Sequence, residues 1–225
     1  MTTCDPSVTE SRCGTERTNR VTPFGGLEAT SARGSLMGNR GILHDDAGQL
    51  GKARWRHRSW ITCLLEFKGR HRTINAPGEY TELFFHDEAV SFAAGHRPCA
   101  QCRRQAYDRY RSAWRKAQNL DPNARLTAPE IDAELHRARV DQNGNQVTYR
   151  AHISDLPDGV FLIEQETSPK ALLLWQGGLY PWDHDGYGRP YKACLAASVR
   201  VLTPLPQVLV LNSGYALSCY PGSRT

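Results

Sequence analysis

Cys99-Ala-Gln-Cys102 sets two thiols at the spacing at which one backbone turn delivers both sulfurs to a single ion. Zinc prefers deprotonated sulfur, at about 2.3 Å in a tetrahedron. Backbone N–H groups within such a turn point at the sulfurs and, together with the ion, favour the thiolate form. Pro98 stiffens the entry to the turn and Arg97 adds positive charge beside it. Cys99 and Cys102 are therefore the first candidate metal ligands. The competing account is a thiol pair that holds no metal, in a fold carried by its core alone.

Other residue types along the chain could also do chemistry. Asp132 and His136 are four apart on a predicted helix and share a face, and an aspartate–histidine pair can support general-base chemistry or metal binding. Neither a nucleophile nor a glycine-rich phosphate loop accompanies them, so a solvated helix face with local ion pairs is expected. His96 is expected to pack, and His44, beside Asp45-Asp46, to be exposed and unliganded. In "YPWDHDGYG", residues 180–188, the acidic residues and His184 read as a turn between strands. "RWRHR" (54–58), "GRHR" (69–72) and "CRRQAYDRYRSAWRK" (102–116) mix arginine with aromatic residues, as nucleic-acid surfaces do. Arginine neutralises phosphate and aromatic rings stack on exposed bases. Arg103, Arg104, Arg111 and Arg115 are the candidate phosphate contacts.

The elements that must position these residues follow from local pattern. "SWITCLLEF" (59–67) and "YTELFF" (80–85) read as strands, and the Pro77-Gly78 turn signal between them predicts a hairpin with a long basic connection. Asp87 is a predicted N-cap for a two-turn helix over 88–94, ended by Gly95. A longer helix is expected from Gln101 to about Gln118, with Tyr107, Tyr110 and Trp114 on one face. Thr127-Ala-Pro-Glu130 is a capping box that opens a third helix, running to about Val140. From about Thr148, short apolar runs are split by Pro-Asp-Gly, Gly-Gly and Pro-x-Pro, which predicts a β-rich unit. The expected organisation is an arm over 1–20, a metal-binding and helical part over 21–147, and a β-rich part over 148–225. The fold class is α+β.

"FFHDEAVSFAAGHRPCAQC" resembles the second half of the N-terminal zinc domain of the bacterial Ada alkylation-repair proteins. That family has an aromatic strand, an acidic-alanine helix ending in Ala-Gly, and then Arg-Pro-Cys-x-x-Cys. The corresponding residues are Phe84-Phe85, Glu88-Ala89, and Ala94-Gly95 followed by Arg97-Pro98-Cys99. The resemblance implies that Cys99 and Cys102 are the second pair of zinc ligands. The family's upstream Cys-x-x-x-Cys, one thiol of which accepts a methyl group from a DNA phosphotriester, has no counterpart in "FKGRHRTINAPGEY". Cys63 and His71 are the nearest donors to those places, so a Cys63/His71/Cys99/Cys102 site fits the spacing. A buried structural thiol is the alternative for Cys63. The family's Pro-Cys-His motif is absent as well. The rest of the chain resembles bacterial proteins that carry no established activity.

Composition bounds the remaining possibilities. The 225 residues are 23 % charged and 40 % hydrophobic, an ordinary globular balance. The seven cysteines are irregularly spaced and no export signal is recognisable at the N-terminus, so a disulfide framework is not expected. No apolar run approaches the roughly 18 residues that cross a bilayer, and a cytoplasmic protein without a membrane partner is expected. The formal charge is +5, and lysine occurs only at Lys52, Lys68, Lys116, Lys170 and Lys192. Arginine forks suit phosphate, although codon bias in a GC-rich genome produces the same excess. The leading expectation is a zinc-stabilised, non-enzymatic protein that binds DNA or RNA. The alternatives are a metal-dependent hydrolase or nuclease, with Asp132, His136 and His44 as candidate bases, and a metal-free protein that docks a partner through "LYPWDHDGYG".

Overall fold

A computed structural model describes residues 18–69, 73–219 and 221. Two sheets carry the fold. The first contains β1 (Thr18–Val21), β2 (Leu27–Ala29), β3 (Leu36–Asn39), β4 (Ile61–Leu64), β5 (Leu83–Phe85) and, after helix α1 (Glu88–Ala93), β6 (Arg97–Pro98). Its strand order is β2-β1-β5-β3-β4-β6. β4 and β5 do not form the expected hairpin, because β3 inserts between them and pairs antiparallel with both. β6 adds at the edge, parallel to β4. Pro98, which has no N–H to donate, is tolerated at such an edge.

The strands of this sheet alternate. Leu83 and Phe85 are fully buried on one face, whereas Met37, Cys63 and Phe84 are cross-strand partners on the other. The second face is only partly covered and becomes the floor of the cleft described below.

Two longer helices follow, α2 (Arg104–Ala117) and α3 (Ala128–Arg139). Tyr107, Tyr110 and Trp114 are all buried on α2, as their spacing predicts. Thr127 and Glu130 form the reciprocal capping box at the start of α3. The remaining chain builds the second sheet from β7 (Tyr149–His152), β8 (Phe161–Ile163), β9 (Leu172–Trp175), β10 (Gly178–Asp183), β11 (Gly186–Tyr187), β12 (Tyr191–Lys192) and β13 (Ser198–Val201). Their order is β11-β10-β9-β8-β13-β7, with β12 paired to β10. The turn expected in "YPWDHDGYG" joins β10 to β11, which pair antiparallel. The run "LPQVLVLN", expected as part of the β-rich unit, is instead helix α4 (Leu205–Asn212). A short apolar run does not by itself distinguish strand from buried helix, and the proline inside its first turn is the helical signal.

The C-terminal sheet and the first sheet share a core. Val21, Leu83 and Phe85 cluster with Ala89, Val90 and Ala93 of α1 and with Phe161, Ile163 and Leu173 of the second sheet. A second cluster joins Phe92 to Tyr110, Trp114, Leu135 and Val210, so α1 is buried between the sheets and the other helices. At the N-terminus, residues 18–20 of the expected arm belong to β1; the rest of that arm lies outside the described residues. No helix among the described residues is long and apolar enough to cross a membrane.

Candidate metal centre and its cleft

The approach to the thiols is built by helix α1 and its ends. Asp87 caps the helix, its Oδ1 accepting the Val90 N–H at 3.0 Å. At the other end Gly95 donates to the Phe92 carbonyl at 2.8 Å and His96 to the Ser91 carbonyl at 2.9 Å, the paired bonds of a Schellman motif. Gly95 has φ 78°, and a Cβ there would stand 2.6 Å from Arg139 Cδ, so glycine is required both by backbone and by space. The reversal sends the chain directly into β6. Arg97 N–H then donates to the Trp60 carbonyl and Cys99 N–H to the Thr62 carbonyl at 2.9 Å. This parallel register lays Cys99 beside Cys63 of β4.

Three sulfurs converge as a result. The Sγ atoms of Cys63, Cys99 and Cys102 all lie within 4.8 Å of one another. The group can hold a metal ion. Cys99 is buried, while Cys63 and Cys102 are half-buried. The Gln101 N–H points at Cys99 Sγ from 3.4 Å, the donor expected inside such a turn. Hydrogen bonds from Cys102 and Cys63, reinforced by backbone N–H groups of Cys102 and Gln101, hold the Cys99 thiol far below its ordinary range. Its hydrogen bonds to Cys102 and Cys99, and then burial, push Cys63 far up. Cys102 is also raised: its bond with Cys63 works the other way but is outweighed by that with Cys99 and by burial. Proton sharing among the three crowded sulfurs thus favours the thiolate form at Cys99. A cation among them would offset the burial and the mutual repulsion that disfavour further thiolates, which is how a thiolate metal site behaves. The donor set fits a thiophilic ion.

Arg97 and Asp132 brace this turn from α3. Arg97 Nε and Nη2 reach Asp132 Oδ1 and Oδ2 at 2.7 and 2.8 Å, and Ser59 Oγ donates to Oδ2 at 2.7 Å. Burial opposes the Arg97 charge, but Asp132 more than restores it and the guanidinium ends with a raised pKa. Asp132 is 2 % exposed, so the solvated helix face expected for Asp132 and His136 is corrected. Its oxygens are committed to a structural ion pair rather than free as a base. His136 packs edge-on against Trp55, 5.3 Å between ring centroids, and shares a hydrogen-bond contact with Arg139. His44 is not exposed either: it is buried, with Nδ1 2.6 Å from Thr81 Oγ1 and Nε2 3.2 Å from the Ala76 carbonyl. His96 packs between Trp60 and Phe85, as expected. His71 lies outside the described residues.

The three sulfurs open onto a cleft of about 480 Å³. The exposed face of the first sheet forms its floor through Met37, Ile61 and Phe84, and Leu65 and Phe67 contribute apolar wall. Glu82, which the sequence reading did not single out, also lines it. Glu82 is 2 % exposed; its Oε2 accepts the Asn75 N–H at 2.8 Å, while Oε1 has no hydrogen-bond partner. The one signal for it is position: a carboxylate in the apolar run "TELFF", at even spacing from Phe84 and therefore on the same face.

The four arginines expected to face phosphate have divided roles. Arg103 is buried against Glu88, Nη2 to Oε1 at 2.6 Å, and that glutamate also accepts from Tyr215 and the Ser218 N–H. Arg111 and Arg115 donate to the carbonyls of Leu126 and Ala124, tying α2 to the connection before α3. Arg104 is exposed and pairs with Asp108 one turn on. Exposed arginines occur instead at Arg54, Arg56 and Arg58, in the connection between β3 and β4. No protein-family model matches this chain, and no curated protein or solved structure matches it significantly.

Proposed function

We propose that the protein is a zinc-stabilised module that binds nucleic acid without acting on it. The observation that carries the metal is the convergence of Cys63, Cys99 and Cys102 from a strand and a turn far apart in sequence. An all-sulfur donor set favours zinc over hard cations, and the likeness of the Arg-Pro-Cys-x-x-Cys segment to the Ada zinc domain supports the same ion. Held there, zinc would fasten β4 to the turn that leads into α2. The nucleic-acid partner is supported by the excess of arginine and by the exposed Arg54, Arg56 and Arg58 on one connection. Purified protein is expected to carry one zinc ion per chain and to bind oligonucleotides with an affinity that falls steeply between low and moderate salt. Zinc-free protein of unchanged stability, or binding indifferent to salt, overturns the corresponding half of the reading.

A second reading is favoured by Glu82. Among the described residues three thiols converge, so an ion held by them alone would keep a fourth position for a further ligand, and the adjoining cleft is lined by Glu82, whose Oε1 has no hydrogen-bond partner. Zinc in such a position would supply Lewis acidity. Glu82 Oε1 would then accept a proton from whatever the cleft binds, the role that Asp132, His136 and His44 are too committed to fill. Phosphodiester hydrolysis lost in Glu82→Gln with zinc content intact would establish this reading; no hydrolysis by the zinc-loaded wild type leaves the binding module.

A further inference from the structure

Arg40 and Arg139 are each 2 % exposed, and their Cζ atoms stand 4.1 and 3.9 Å from the ring centroid of the same indole, Trp60. Buried guanidinium groups are ordinarily matched by carboxylates. Among the described residues neither of these forms a salt bridge. Arg40 directs Nε to His96 Nε2 at 3.3 Å and Nη1 to the Gly25 carbonyl at 2.9 Å, and Arg139 directs Nη1 and Nη2 to the carbonyls of Gly95 and Arg58. Arg40 Nη2 and Arg139 Nε remain buried without a partner. The charge of Asp132 acts on Arg139, but its oxygens are occupied by Arg97 and Ser59.

Both side chains wall a cavity of about 20 Å³, together with Arg54, Trp60, Gln146 and Gly25. Among the described residues no aspartate or glutamate lines it. Three arginines therefore line a space on the scale of a single small ion, and two buried N–H donors among them are left over. Cation–π contact with Trp60 offsets part of the burial penalty, but the indole quadrupole does not neutralise two full charges.

We propose that this cavity binds one small anion, a halide or a single phosphate group, as the counter-ion of Arg40 and Arg139. Arg54 also lines the site: it is exposed, yet its Nη1 is anchored on the Gly144 carbonyl at 2.8 Å and its charge acts on Arg40. The anion is either a free ion or the terminal phosphate of a nucleic acid, and the two share the chemistry the site recognises. The site uses none of the cysteines and stands whether or not they hold zinc.

The test is thermal unfolding of the full chain at constant ionic strength, with gluconate replaced stepwise by chloride or by phosphate. A saturable rise in Tm is expected with at least one of the two anions. Measured against its own Tm in gluconate, Arg54→Gln should need about tenfold more anion for the same rise, since one charge-assisted contact is lost. Arg40→Met should be insensitive to the anion. If it does not fold, the Arg54→Gln titration still decides. A Tm that neither anion raises at constant ionic strength, or equal anion titrations in wild type and Arg54→Gln, overturns the proposal. Where phosphate acts, a 5′-phosphorylated oligonucleotide that competes with it, against an unphosphorylated control, assigns the site to nucleic-acid ends; absence of competition assigns it to the free ion.

Discussion

Cys63 and Cys99 stand side by side because the Cys99 N–H donates to the carbonyl of Thr62, the residue before Cys63, at 2.9 Å. One parallel ladder bond thus joins thiols that are remote in sequence, and Cys102 completes the group within a single turn. If these sulfurs hold zinc, loss of any one should loosen both the ion and the edge strand. Cys63→Ser is expected to lower retained zinc after dialysis and to lower Tm, as is Cys99→Ser. In cobalt-substituted wild type, visible thiolate charge-transfer absorption should scale with three sulfurs and decrease in each variant. Chelation of wild-type protein should reproduce the fall in Tm, because metal binding is coupled to folding. Identical metal content in wild type and Cys63→Ser would remove Cys63 from the centre.

The ion pair behind the turn should be as sensitive as the turn itself. Asp132 receives both nitrogens of the Arg97 fork and the Ser59 hydroxyl in a buried setting. Asp132→Ala leaves the Arg97 charge uncompensated and is expected to cost about 3–5 kcal/mol in urea unfolding. Ser59→Ala, which removes a single hydrogen bond, should cost about 1 kcal/mol. Similar losses for both would mean that Asp132 contributes no more than an ordinary polar contact.

Gly95 carries a second structural requirement. Alanine there would occupy a left-handed conformation and meet the Arg139 side chain at 2.6 Å. The combined strain and overlap should destabilise Gly95→Ala by about 2 kcal/mol or more. The displaced Arg139 also leaves Trp60, so the variant's tryptophan fluorescence should change. Unaltered stability and fluorescence would contradict the tight Schellman turn.

The residues around this turn were the most legible part of the chain because their signals are local. An N-cap, a C-terminal glycine, Pro98 and the Cys-x-x-Cys spacing all act within a few residues, and Asp87, Gly95, Cys99 and Cys102 take those roles. What depends on distant pairing was less legible. Nothing between 59 and 85 announces that Leu36–Asn39 will insert between the two strands. That insertion buries Glu82 in the cleft and sets Cys63 facing it, a side no linear reading assigns. His44 and Asp132 looked solvated because their partners, Thr81 and Arg97, come from other elements. The arginines of α2 show the same limit from the other side: a basic helix face looks free until its carboxylate and carbonyl partners, such as Glu88 and Leu126, are in place.

Histidines with lowered pKa values should make the fold acid-sensitive. Burial, then the positive charges of Arg139 and Arg58, hold the His136 pKa down at about 4, against an ordinary 6.5. Burial, with Arg40 and Arg139, holds His96 well below the same value. The aromatic neighbours Trp55, Trp60 and Phe85 provide no compensating anion. Asp132, the nearby carboxylate, is already paired with Arg97. A depressed folded-state pKa means that the unfolded chain takes up protons first as pH falls. Stability due to these groups is therefore complete above about pH 6.5 and declines as the pH is lowered towards 4. His136→Gln should flatten part of that decline while leaving stability near pH 8 little changed. His96, fully buried between Trp60 and Phe85, and His57, whose pKa burial also lowers, should account for the remaining slope. A wild-type stability that stays constant from pH 7 to 4.5, or a His136→Gln profile parallel to wild type, would show that His136 protonates freely in the folded protein.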